Sequence, residues 1–151
     1  MIQLHLSIHD LTISNGIANS GGAGGLSNRR TGTVDIHHST IENNLLANGF
    51  GAGGLSNHTS GTMNIYESII QDNRSTSGTS LASGVNNNSG GTMTITETTI
   101  RRNITEVGAF FVSGGGVHNN SNGNMFITES AIYENIGSRG GGLSNNSGGD
   151  V

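Results

Sequence analysis

The chain has 151 residues, the size of one domain, and Gly (26), Asn (20), Ser (19) and Thr (15) together fill more than half of it, while only 31% is hydrophobic. That composition cannot fill a thick globular core, and the absence of Cys excludes disulfide frameworks, thiol nucleophiles and Cys-based metal sites. A net charge of −4, with six arginines dispersed among ten acids, leaves no basic stripe for a phosphate backbone, so nucleic acid is not an expected partner. No apolar run approaches the ~20 residues of a membrane span, and the first residues lack the basic start and apolar centre of a signal peptide.

Taken in chain order, the apolar residues return in three segments. One centres on Ile8, Ile36, Ile65, Ile95 and Ile127, a second on Ile13, Ile41, Ile70, Ile100 and Ile132, and a third on Leu26, Leu55, Val85, Val117 and Leu143. From each Leu or Val of the third set to the next Ile is always 10 residues, and from there to the following Ile always 5. Only the return to the next Gly-Gly-Leu varies, at 13, 14, 15, 17 and 11 residues, which confines insertions to one edge. Val34/Ile36, Met63/Ile65, Met93/Ile95 and Met125/Ile127 alternate with Asp35, Asn64, Thr94 and Phe126, the period of a strand with one face buried.

Three short strands per copy, none long enough for a helix, predict an all-β chain that coils and stacks each strand in parallel on its counterpart one turn earlier. The expected fold is a single-stranded parallel β-helix, a solenoid of about five coils 26 to 32 residues apart. Its core is a narrow column of Ile, Leu, Val and Met, which a low hydrophobic content suffices to fill. Asn44, Asn73, Asn103 and Asn135 form one expected ladder, and Asn28, Asn57, Asn87, Asn119 and Asn145 another. Asn tolerates left-handed corners, and its amide carries both donor and acceptor, so like can bond to like between coils. Gly25, Gly54, Gly84, Gly116 and Gly142 suit tight or bent backbone.

The Ile-x-x-Asn tetrads (Ile41–Asn44, Ile70–Asn73, Ile100–Asn103, Ile132–Asn135), alternating with Gly-Gly-Leu or Gly-Gly-Val, resemble the repeats of polymorphic outer membrane proteins. That family pairs a Gly-Gly-Ala-aliphatic motif with Phe-x-x-Asn and belongs to the right-handed parallel β-helix, pectin-lyase-like superfamily. Here Ile replaces Phe throughout, Gly16 stands where the first Asn is expected, and the third copy reads Ser83-Gly84-Val85. The resemblance implies a right-handed coil and a secreted or surface-displayed bacterial protein acting as an adhesive or structural segment. It also implies the alternative of a carbohydrate-active enzyme, a polysaccharide lyase or hydrolase. The last residues align with the start of a strand and show no cap, so the expectation is a single domain over 1–151 that is a piece of a longer repeat protein, flanked by further coils.

Candidate chemistry follows from the columns. Asp10, His38, Glu67, Glu97 and Glu129 should stack, and Glu67, Glu97 and Glu129 would then repel or share a Ca²⁺ ion. The plainer reading is a solvated corner where long side chains splay apart. Arg101 and Arg102, with Glu97 nearby, are the candidate catalytic residues of a lyase; the competing reading is a surface ion-pair ladder of Asp72, Arg102 and Glu134. His37 and His38 with His9 and Asp10 suggest either a metal site or imidazoles that simply face solvent at the strand ends. Asn-x-Ser/Thr sequons recur at Asn57, Asn73, Asn87, Asn103, Asn119 and Asn145, as the composition dictates, and Thr-x-Thr does not repeat in the register that ice binding needs. The variable loops hold unusually many apolar residues: Leu45, Leu46 and Phe50, then Leu81, then Val107, Phe110, Phe111 and Val112. Leu45, Leu46, Phe50, Val107, Phe110 and Phe111 are the candidate binding surface for a glycan or a protein partner, unless the loops fold back and bury them.

Overall fold

The computed structural model describes residues 4–77, 79, 81–106, 114–146 and 150–151. These form a parallel β-solenoid of about five turns without a helix, as the spacing predicted. Five sheets run along it, named here in the order the chain meets them. The first stacks His5–His9, Thr33–His37, Thr62–Tyr66, Thr92–Thr96 and Asn124–Thr128. The second stacks Thr12–Ser14, Thr40–Glu42, Ile69–Gln71, Thr99–Arg101 and Ala131–Tyr133. The fifth stacks Leu26–Asn28, Leu55–Asn57, Val85–Asn87, Val117–Asn119 and Leu143–Asn145.

These are the three expected strands per coil. The return segment adds more: a third sheet of Ile17–Ala18, Leu45–Leu46, Arg74–Ser75 and Ile104–Thr105, and a fourth of Gly22–Ala23 and Gly51–Ala52. Two-residue strands leave almost no period to read in the sequence, which is why they escape it.

Every register pairs the expected counterparts, Ile36 with Ile65 and Ile95, Ile41 with Ile70 and Ile100, Leu55 with Val85 and Val117. Ile36, Ile65, Ile95, Met63, Met93, Met125, Ile41, Ile70 and Ile100 are fully buried in one continuous column. Each such side chain contributes about 1.5–3 kcal/mol on leaving water, so a single file of them holds a thin solenoid together.

The two Asn ladders are present, with a different role at the corners from the one expected. Asn44, Asn73 and Asn103 donate from Nδ2 to the Oδ1 of the next Asn, each at 3.0 Å, and to the carbonyls of Ile13, Ile41 and Ile70 in the coil before. Each Oδ1 also accepts from the backbone N–H one coil earlier, Asn44 N to Asn73 and Asn73 N to Asn103 at 3.1 Å; Gly16, lacking a side chain, still donates its N–H to Asn44 at 2.9 Å. Asn28, Asn57, Asn87 and Asn119 form the second ladder at 2.9–3.2 Å. The left-handed corner is carried by the residue before the first ladder's Asn, namely Asn43, Asp72, Arg102 and Glu134, with Asn15 in the first coil. A second left-handed column is Asp10, His38, Glu67, Glu97 and Glu129.

A third ladder follows that column. Ser39, Ser68, Thr98 and Ser130 accept at the hydroxyl from the backbone N–H one coil earlier (3.1–3.3 Å) and donate to the carbonyl two residues back. The glycine column has its own reason, which is space rather than φ. A Cβ on Gly25 or Gly54 would lie 2.6 Å from the carbonyl oxygen of the next glycine and 3.1 Å from a ladder Asn Nδ2.

Candidate functional site

The corner column, read from the sequence as a solvated corner or alternatively a Ca²⁺ site, runs along the junction of the first and second sheets. Left-handed φ values of 46°, 49° and 51° at Glu67, Glu97 and Glu129 turn the chain there, and Glu67 meets His38 Nε2 at 2.8 Å. Among the described residues no three His, Asp or Glu side chains are grouped to hold a metal ion, this column and the His9, Asp10, His37, His38 set included.

Arg101 and Arg102 sit at the other end of Thr99–Arg101, at the junction of the second and third sheets, so the three-residue strand separates them from Glu97. Arg102 grips Asp72 through two hydrogen bonds of 2.8 Å, and these, opposed in part by burial and aided by the charges of Asp72 and Glu134, raise its guanidinium above the ordinary range. Such a group supplies fixed positive charge, not a lone pair for a proton. Arg101 donates to Gln71 Oε1 (3.0 and 2.9 Å) and to the Tyr133 hydroxyl (3.1 Å), while Gln71 donates to Glu42 at 2.7 Å. Both arginines are thus tied into inter-coil ladders, and the Asp72–Arg102 ladder read from the sequence is in place.

The outer face of the first sheet concentrates imidazoles. His9, His37 and Tyr66 stack ring on ring at 4.6 and 4.8 Å, one coil apart, and Ser7 Oγ lies 2.8 Å from His9 Nε2. Beside them Asp35 is bound by His5 Nε2 and Asn64 Nδ2, both at 2.7 Å. Burial alone would raise the Asp35 carboxyl, but those two hydrogen bonds and the charges of His5 and His37 outweigh it and hold the group below the usual carboxylate range.

The outer face of the fifth sheet is polar yet enclosed. Ser56, Asn86 and His118 occupy one outward column and are fully buried, because the return segment folds over them: Gly22 packs on Ser27 and Gly114 on His118. Ser56 Oγ meets His58 Nε2 at 2.6 Å and accepts from Asn86 Nδ2 at 3.2 Å. Burial, then the nearby Arg29, lowers the affinity of His58 for a proton. His118 is pushed down to about 4 by burial, tempered by a hydrogen bond with the Ser144 backbone.

The variable edge divides its apolar residues. Leu46 and Leu81 turn inward and are buried, Leu45 is half-buried, and Phe50 is 58% exposed. Val107, Phe110 and Phe111 lie outside the described residues. A set the loop composition did not reveal stands beside them: Ile17, Leu45, Arg74, Ile104 and Ile136 form one outward column of the third sheet, with Ile17, Ile104 and Ile136 at 64%, 40% and 52% exposure. Its signal is simple, since each residue directly follows Gly16 or a ladder Asn. Arg74 forms an ion pair with Glu106 at the middle of this column.

Compared with known proteins, the chain matches no family model, no curated protein and no solved structure.

Proposed function

We propose that this chain is a non-catalytic adhesive or structural segment of a secreted or surface-displayed bacterial β-helix protein, making contacts through its variable edge. What carries the reading is the distribution of side chains. On the regular faces three of the groups named as catalytic or metal candidates are engaged by side chains of neighbouring coils, Arg102 by Asp72, Arg101 by Gln71 and Tyr133, Glu67 by His38. On the variable edge, by contrast, Ile17, Ile104, Ile136 and Phe50 face outward on a rigid frame. Exposed apolar side chains on a scaffold held by buried ladders suit a protein surface or the apolar face of a sugar.

The repeat motifs support placing the chain with polymorphic outer-membrane-type repeats in the right-handed, pectin-lyase-like group, and further coils of a parent protein fit that reading. The test is to immobilise the chain and probe it with a glycan array and with intact cell surfaces, alongside a polysaccharide panel monitored for product. Binding without turnover, weakened by Phe50→Ser, is the expected result. Release of unsaturated or reducing sugar ends would replace the reading with that of a lyase or hydrolase.

A further inference from the structure

We propose that the outer face of the third sheet docks a second copy of this chain, forming a two-fold symmetric dimer with the axis through Arg74. The inference deepens the functional reading above by naming a partner for the variable edge.

Two outward columns make this face. One is Ile17, Leu45, Arg74, Ile104 and Ile136. The next, continued by the hydrogen bonds Ala47 N to Ala18 O, Thr76 N to Leu46 O and Glu106 N to Ser75 O, is Asn19, Ala47, Thr76, Glu106 and Ser138. A two-fold axis along the strand direction at Arg74 reverses the order of the coils while keeping each column opposite itself. Ile17 then meets the partner's Ile136, and Leu45 meets the partner's Ile104, so all four aliphatic positions of each copy find aliphatic partners. The small residues Ala47 and Ser138 leave room for close approach.

The charges close in the same way. Arg74 already pairs with Glu106 one coil on; the reversal brings the partner's Glu106 to the level one coil back. Each guanidinium then lies between two carboxylates, and the two arginines at the axis are compensated. A sequence of side chains that complements itself on reversal is what an isologous interface requires. The face is about 19 Å long at the ~4.8 Å strand spacing and only two residues wide, well below the roughly 800 Å² per partner of tight complexes. A weak, concentration-dependent dimer is therefore expected.

Sedimentation equilibrium of the full chain over a concentration series reaching on the order of 1 mM tests this. A monomer–dimer equilibrium is expected, weakened at least tenfold by Ile104→Lys with no loss of melting temperature, since that side chain points away from the core. Glu106→Arg should weaken it as well, and adding Arg74→Glu should restore it. The charge-swapped pair keeps the test decisive if Ile104→Lys fails to fold. A monomer throughout the series, or a dimer indifferent to these substitutions, overturns the assignment. Retained surface binding by a strict monomer would overturn the dimer alone and leave the adhesive reading standing.

Discussion

Asn73 shows how much one side chain does in this fold. Its Nδ2 serves Asn103 Oδ1 and the Ile41 carbonyl, its Oδ1 serves the N–H and amide of Asn44, and none of these atoms reaches water. Asn73→Ala strands buried donors and acceptors on both neighbouring coils at about 1–3 kcal/mol each, so a loss of roughly 3 kcal/mol or more is expected in urea unfolding. Asn44→Ala should cost less, because its upper neighbour is only the Gly16 N–H. The same burial bears on the sequons: Asn57, Asn73, Asn87, Asn103 and Asn119 all lie inside ladders, beyond the reach of glycosylation in the folded chain. His118 supplies the larger part of the pH dependence, and His58, lowered by burial, acts in the same direction. The folded pKa of His118, about 4, lies below the ordinary 6.5, so the unfolded chain binds the extra proton between those values. Stability is therefore full above about pH 7 and falls as pH drops through 6.5 toward 4, by an amount on the order of 3 kcal/mol. Asp35 acts in a different window: its lowered pKa contributes above the unfolded carboxylate value and is lost only as pH falls further, through its folded value. Urea midpoints at pH 7.5, 5.5 and 4.5 should decline in the wild type and decline much less with His118→Asn, the residue type that Asn86 already places in that column.

At the scale of elements, the turns between the fifth and first sheets store strain that can be removed. His58–Gly61, Asn88–Gly91 and Asn120–Gly123 each close with an N–H to carbonyl bond of 3.1–3.2 Å around two residues of positive φ, the type I′ geometry. In the first of these the central pair is Thr59 and Ser60, at φ 56° and 57°, a costly conformation for a β-branched residue. Replacing Thr59-Ser60 by Asn-Gly should raise stability by about 1 kcal/mol, read as a higher melting temperature. Gly54→Ala should do the reverse despite an ordinary φ, because its Cβ would meet the Gly84 carbonyl at 2.6 Å. The contrast marks what the sequence made legible. Ile and Leu spacing announced the coils, the register and both Asn ladders, because identical residues recur at identical offsets. The reasons behind individual columns stayed hidden: the left-handed corners fall to Glu, Arg and His as well as to Asn and Asp, so no one residue type marks them, and the glycines answer to Cβ clearance. The site was less legible still. Leu45 and Leu46 are adjacent and chemically alike, yet a two-residue strand sends one outward and one inward, and no periodicity that short can be read.

Across the whole molecule, order is transmitted only from coil to coil. Among the described residues each inner strand pairs with its counterparts one turn before and one turn after, and no sheet pairs strands of coils further apart. Stability in such an architecture is a sum of coil terms and nearest-neighbour interfaces, so it depends on how many neighbours a coil has. The burial follows this rule. Ile36, Ile65 and Ile95 of the inner coils are fully buried, while Leu6 and Leu143, in core columns of the outer coils, are 43% and 39% exposed. The middle coil, with Met63, Ile65, Ile70 and Asn73, has complete ladders on both sides. Amide hydrogen exchange should accordingly be slowest at Thr62–Gln71, intermediate in the coils on either side, and fastest at His5–Ser14 and at Leu143–Asn145. Asn73→Ala should then lower protection most in the coils carrying Asn44 and Asn103 and leave the outermost coils least changed. Uniform protection along the chain, collapsing everywhere at once in the variant, would instead mark a single all-or-none unit and remove the nearest-neighbour account.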